Sequence, residues 1–209
     1  MRSQLVIVFL GISILCVNAS AFQSHMDTAD LLKPDQYQLG IEPQYIFNNV
    51  SGFNAIAHFD MGATEVSNFK FELGTGVVPL QMGGYYKWSP FPDIDNQPAI
   101  GGYFGVLYSY KNSNVTNLGF RAHPEVSKKF KLKNFGDVTP YGALPFGIAM
   151  ESGNTTYPIQ LAAGAKWLPS SLKHMNFWFE VGLELNQAFT YASIGLSIPF
   201  DTWDEIKFD

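Results

Sequence analysis

The chain has 209 residues, 13 basic and 18 acidic side chains for a net charge of −5, 15% aromatics and one cysteine. One domain fits that length. The modest acidity argues against nucleic acid as a partner, because phosphate contacts need clustered Lys and Arg.

The first stretch, MRSQLVIVFLGISILCVNASA, has one Arg, an apolar run from Leu5 to Val17 and the small-residue site Ala19-Ser20-Ala21. The run is shorter than the roughly 20 residues that cross a bilayer as a helix, so residues 1–21 are predicted to be a secretory signal cleaved after Ala21. Cys16 lies inside it. The remainder has 12 basic and 18 acidic residues and no thiol, which excludes disulfides and cysteine-ligated metals. Residues 22–36 are polar apart from one Leu pair, with Pro34 to stop any helix, and are predicted to be a short periplasmic lead-in.

From Tyr37 the pattern has period two. YQLGIEPQYIF sets Tyr37, Leu39, Ile41, Tyr45 and Phe47 against Gln38, Gly40, Glu42 and Gln44. FNAIAHFDMGA carries His58 and Asp60 opposite Phe53, Phe59 and Met61, and FKFELGTGV carries Lys70 and Glu72 opposite Phe69, Phe71 and Leu73. QMGGYYKW, with Lys87, is a shorter fourth strand, and IGGYFGVLYSY a fifth. LGFRAHPEV puts Arg121, His123 and Glu125 on one face. VTPYGALPFGIAM and YPIQLAAGAKWL follow, the second with Lys166, then FWFEVGLEL with Glu180 and Glu184. The tenth, YASIGLSIPF, alternates Ile194, Leu196, Ile198 and Phe200 with small or hydroxyl residues and Pro199. Turn chemistry separates the segments. The basic cluster KKFKLK at 128–133 reads as a solvated turn, and residues 201–209 as a tail.

Ten strands joined by hairpins predict an all-β, up-and-down antiparallel barrel over residues 37–200, with eight or twelve strands as the neighbouring possibilities. A soluble lipocalin-like carrier of a hydrophobic ligand would keep the apolar face inside. A transmembrane barrel puts it against lipid. Glycine and alanine between the charges suit a narrow lumen better than a solvated face. Tyr37, Phe47, Phe53, Phe69, Trp88, Tyr110, Trp167 and Phe177 stand near strand ends, where interfacial girdles belong. The G-x-W signature of lipocalins is missing from the first strand. The transmembrane form is the expectation.

IGLSIPF resembles the closing strand of Gram-negative outer-membrane barrels, which typically ends in alternating hydrophobics and a final Phe. With the leader and the strand pattern, the chain resembles the small barrels of the OmpA, OmpX and OmpW kind over residues 37–200. It departs from them by running on through DTWDEIKFD. The resemblance implies the outer membrane of a Gram-negative cell, outer-membrane lipid as surroundings and the barrel-assembly machinery as a partner in biogenesis.

The lumen face then carries Lys70, Lys87, Arg121 and Lys166 against Glu42, Asp60, Glu72, Glu125, Glu180 and Glu184, with His58 and His123. Near-balanced signs in a narrow barrel predict an ion-pair network. An outer-membrane enzyme would use His123 as a base oriented by Glu125. The His-x-Ser motif of lipid A deacylases is absent, and the loops are too short for an omptin-type site. His58 with Asp60 offers only two metal ligands. No catalytic residue, metal or cofactor is assigned. The expected function is structural, or a narrow passive passage for small solutes or ions. Short outside loops (48–52, 77–80, 112–117, 152–156, 186–187) argue against a receptor or adhesin. Asn49, Asn114 and Asn154 begin formal glycosylation acceptors that turn composition alone explains.

Overall fold

A computed structural model describes residues 24–112, 115–151, 153–172 and 174–201. The expected signal, the first two lead-in residues, Asn114 and the tail beyond Asp201 lie outside those residues.

The strand segments are β1 (Tyr37–Ile46), β2 (Gly52–Thr64), β3 (Ser67–Gly76), β4 (Leu80–Phe91), β5 (Ala99–Asn112), β6 (Val115–Ser127), β7 (Phe130–Leu132), β8 (Gly136–Ala143), β9 (Phe146–Glu151), β10 (Asn154–Thr156), β11 (Ile159–Pro169), β12 (Asn176–Asn186) and β13 (Tyr191–Phe200). All neighbouring segments pair antiparallel, and β13 closes the ring on β1 with Phe200 opposite Tyr37. The result is a closed barrel of ten strands, as the period-two reading predicts.

Three strands are interrupted without losing register. Ser127 faces Tyr141 and, beyond the break, Phe130 faces Val138. Glu125 faces Ala143 and Ala122 faces Phe146. Thr156 faces Ala149 and Ile159 faces Phe146. Thus β6–β7, β8–β9 and β10–β11 each trace one path around the ring. Proline accounts for the breaks, since it returns no N–H to the ladder.

The two faces separate as lipid and lumen require. Successive partners Tyr37, Met61, Phe69, Tyr86, Phe104, Ala122, Phe146 and Ile159 form one outward row around most of the wall. Phe53 is 71% exposed, while Lys70 and Arg121 are 2% and 1% exposed. Leaving a Leu or Phe in water forfeits about 1.5–3 kcal/mol. A handful of such residues would therefore offset a domain's whole stability of about 5–15 kcal/mol. An apolar band this wide belongs against hydrocarbon, not water, which removes the lipocalin arrangement. Aromatics mark both rims: Tyr45 with Phe47 and Phe53 at one, Tyr37 with Phe200 and Trp167 with Phe135 and Phe177 at the other.

Candidate functional site

The lumen is filled by the chain's own N-terminal segment. The lead-in expected beyond the barrel's end instead turns in at the rim, where Gly62 N–H donates to Gln36 O at 2.8 Å and a Cβ on Gly62 would meet Lys33 O at 1.8 Å. Ser24, His25, Met26, Thr28 and Ala29 are buried inside the ring. They form no regular secondary structure, so their backbone groups need partners from the wall.

Glu180 on β12 anchors the start of the segment. It accepts hydrogen bonds from Ser24 Oγ (2.9 Å), His25 N–H (3.1 Å), Met26 N–H (3.1 Å), Tyr141 Oη (2.7 Å) and Tyr191 Oη (2.6 Å). Lys70 Nζ on β3 donates to His25 O at 2.6 Å. Lys87 on β4 donates to Asp27 Oδ1 and Asp30 O, each at 2.7 Å, and to Thr28 O. Ser89 Oγ donates to Ala29 O at 2.7 Å, and Ser127 Oγ accepts from Ala29 N–H at 3.1 Å. Lys166 reaches Asp30 Oδ2 at 3.1 Å. The two aspartates of the segment thus stand beside the lysines of the wall.

His25 lies at the centre. Its Nδ1 is 2.7 Å from Glu72 Oε1, its ring stacks on Tyr103 at 3.5 Å and meets Tyr85 edge-on at 4.8 Å. Met26 packs against Tyr141 and Trp178. Lumen tyrosines lie over glycines of the neighbouring strand. Tyr191 is opposite Gly182, Tyr141 opposite Gly164 and Tyr85 opposite Gly105. A Cβ on Gly182 would sit 2.2 Å from the Tyr191 ring.

The predicted charges occupy the lumen with partners the sequence did not indicate. Glu42, His58, Asp60, Lys70, Glu72, Lys87, Arg121, His123, Glu125 and Glu180 are buried, and Lys166 is part-buried. His123 does not pair with Glu125. Its Nδ1 meets Tyr103 Oη and lies 3.5 Å from Arg121 Nη2, while Glu125 Oε1 is 3.7 Å from Lys87 Nζ. The base–orienter geometry that catalysis by His123 requires is therefore not formed. His58 Nδ1 stands 3.7 Å from Asp60 Oδ2, and no group of three metal-ligating residues occurs among the described residues. Glu184 shares the inward phase but is exposed at the mouth, where it accepts from Asn48 Nδ2.

That mouth is closed by residues 187–190, a longer loop than the expected 186–187. Gln187 takes a left-handed φ of 46°, and the chain folds inward so that Ala188 and Phe189 are buried beside Ile46, Val78 and Tyr191. Gln160 Nε2 donates to Phe189 O at 2.6 Å. At the other rim Lys128 does not belong to a free turn. It donates to Asp93 Oδ1 and to the carbonyls of Asp95 and Gln97, tying the turn at 92–98 to the wall. Beside the segment within the lumen, a cavity of about 50 Å³ lined by Asp27, Asp60, Lys87 and Trp178 has room for a water or two.

No family model and no curated protein matches the chain. Among solved structures it is similar to the β domain of the Bordetella autotransporter BrkA, at 13% identity over 79% of this chain and 98% of that one, with a TM-score of 0.46. It is also similar to the NanC porin, at 11% identity over 77% and 98%, TM-score 0.42. The N-terminal barrel domain of Pseudomonas aeruginosa OprF aligns at 6% identity over 81% and 100%, TM-score 0.32.

Proposed function

We propose that the protein is a barrel of a Gram-negative outer membrane, with a structural role or at most a narrow passive path for small solutes or ions. The observation that carries this reading is the clamp of Glu180, Lys70 and Lys87 on Ser24–Asp30. An outward apolar band supports the location, with outer-membrane lipid as its surroundings and the barrel-assembly machinery as its partner in biogenesis. No chemistry is assigned to the lumen histidines. Wall carboxylates and lysines there bind backbone amides and carbonyls of the segment, which is how a barrel holds a plug.

Planar-bilayer conductance tests the reading, comparing a chain that begins at residue 22 with one that begins at residue 34. The longer chain is expected to give small or rare steps and the shorter one larger steps. Large steady conductance from the longer chain would overturn the occluded reading and put an ion-selective open pore in its place. Small steps from both would favour the structural role over the passage.

A further inference from the structure

We propose that the barrel wall opens sideways along β8–β9, toward the bilayer. Both neighbours of this strand are paired to it through prolines. Lys128 N–H donates to Pro140 O and Leu144 N–H to Pro124 O, each at 3.1 Å, on the β6–β7 side. Gly147 N–H donates to Pro158 O at 3.1 Å and Gln160 N–H to Pro145 O at 2.9 Å on the β10–β11 side. Each is a pair in which antiparallel residues exchange two bonds, and each proline lacks the N–H for the second. Four ladder bonds that another residue would complete are therefore not made, two on each side, all within residues 140–147.

The rest of the wall has no such concentration. The β2–β3 register runs from Asn54–Gly76 to Gly62–Asn68 with no proline in either strand. Between β1 and β13 the register is constant, and pairing lapses only between Ile41–Leu196 and Gln44–Ser193, at Pro43. Several side chains along the seam are small, among them Gly142, Ala143, Gly147, Ala149 and Ala162, while Tyr141 reaches across the β11 side over Gly164 to Glu180. Backbone polar groups inside a bilayer have no water to replace a lost partner, so pairing alone holds strands together there. A strand short of four bonds is the one that parts first.

The position gives the opening a use. The inner mouth is filled by the N-terminal segment and the outer mouth by Phe189. On the membrane side two apolar grooves, about 400 and 510 Å³, meet at Ala122 and Phe146, and one of them also touches the lumen-facing residues Tyr103 and His123. Separation of β6 from β8–β9 at Ala122–Phe146 and Pro124–Leu144 joins the lumen to those grooves, while Ser127, nearer the rim, keeps its bond to Ala29 of the plug.

Hydrogen–deuterium exchange in lipid nanodiscs, on the chain beginning at residue 22, tests this. Amides of residues 142–147 and Gln160 are expected to exchange at least tenfold faster than those of 57–60 and 70–73 in β2–β3. A cysteine pair at the facing positions, Ala122→Cys with Phe146→Cys, is expected on oxidation to abolish that excess and leave β2–β3 unchanged. Pro145→Ala, which supplies a donor toward Gln160, is expected to slow exchange on the β11 side. Equal or slower exchange at 142–147 than in β2–β3 would overturn the proposal, as would excess exchange that survives the disulfide. Neither outcome depends on conductance.

Discussion

Glu180 touches more of the lumen than any charge balance suggests. Two backbone amides and three hydroxyls converge on its carboxylate, so Glu180→Ala strands several buried donors at once. Each unsatisfied buried group costs about 1–3 kcal/mol. The variant is expected to lose at least about 3 kcal/mol in urea unfolding, and Glu180→Gln, which keeps acceptor capacity on one oxygen, less. A loss under 1 kcal/mol for Glu180→Ala would mean that water already serves these groups. The lumen tyrosines were not legible, because aromatics in this pattern read as lipid-facing. Their signal was present in phase, since Tyr141 falls on the same face as Ala143, and Tyr191 on that of Ser193, rather than with the outward residues. Glycine opposite each ring is the second half of that signal. It also changes what a small lumen substitution does: a Cβ at Gly105 would stand 2.1 Å from Gly84 O. Gly105→Ser is therefore expected to destabilise the barrel as much as a lipid-facing Val181→Lys, about 2–4 kcal/mol near the midplane. Unfolding midpoints of the two variants decide this, and a neutral Gly105→Ser would show that the strands can move apart there.

Strands were the easiest elements to read, because alternation needs only one residue's neighbours. YASIGLSIPF coincides with β13, and each of the ten predicted segments lies on a barrel strand. Alternation does not show the strand interruptions at VTPYGALPFGIAM and YPIQLAAGAKWL. Pro145 and Pro158 are visible in the sequence, but the lost bonds depend on which residue faces each, and register is a long-range property. The turn at 92–98 shows the same limit. Lys128 reaches it from a segment more than thirty residues away, and that hydrogen bond, with one from Lys129 N–H, holds the Asp93 carboxyl below the usual aspartate range. A depressed folded pKa gives stability that is present above the unfolded pKa and lost as pH falls through the folded one. Limited proteolysis at 92–98 is thus expected to stay slow from neutral pH down to about pH 4 and to rise only below it. Lys128→Ala is expected to raise cleavage at every pH. Cleavage that climbs already at pH 6 would contradict the Asp93–Lys128 clamp.

At the scale of the whole molecule, the closed ring follows from the strand pattern and the filled lumen does not. Residues 24–33 have no period, little apolar content and no capping pattern, so no local rule places them inside a barrel. The lysines they serve are scattered over β3, β4 and β11, and only the closed ring brings Lys70, Lys87 and Lys166 to one axis. Threading the segment links the strands on every side, which should make unfolding cooperative. Residues 22–209 contain no cysteine, so one introduced thiol can report on the lumen without background. In the structure Thr28 is 1% exposed and Val50, in the outer loop, 37% exposed. The deciding measurement is the rate at which a water-soluble maleimide labels Thr28→Cys, with Val50→Cys as the accessible control and each unfolded variant as its own reference. Thr28→Cys is expected to react at least about a hundredfold more slowly folded than unfolded, since it is reached only by local opening, while Val50→Cys changes little. Folded Thr28→Cys reacting as fast as Val50→Cys would contradict it, and would put the N-terminal segment outside the barrel.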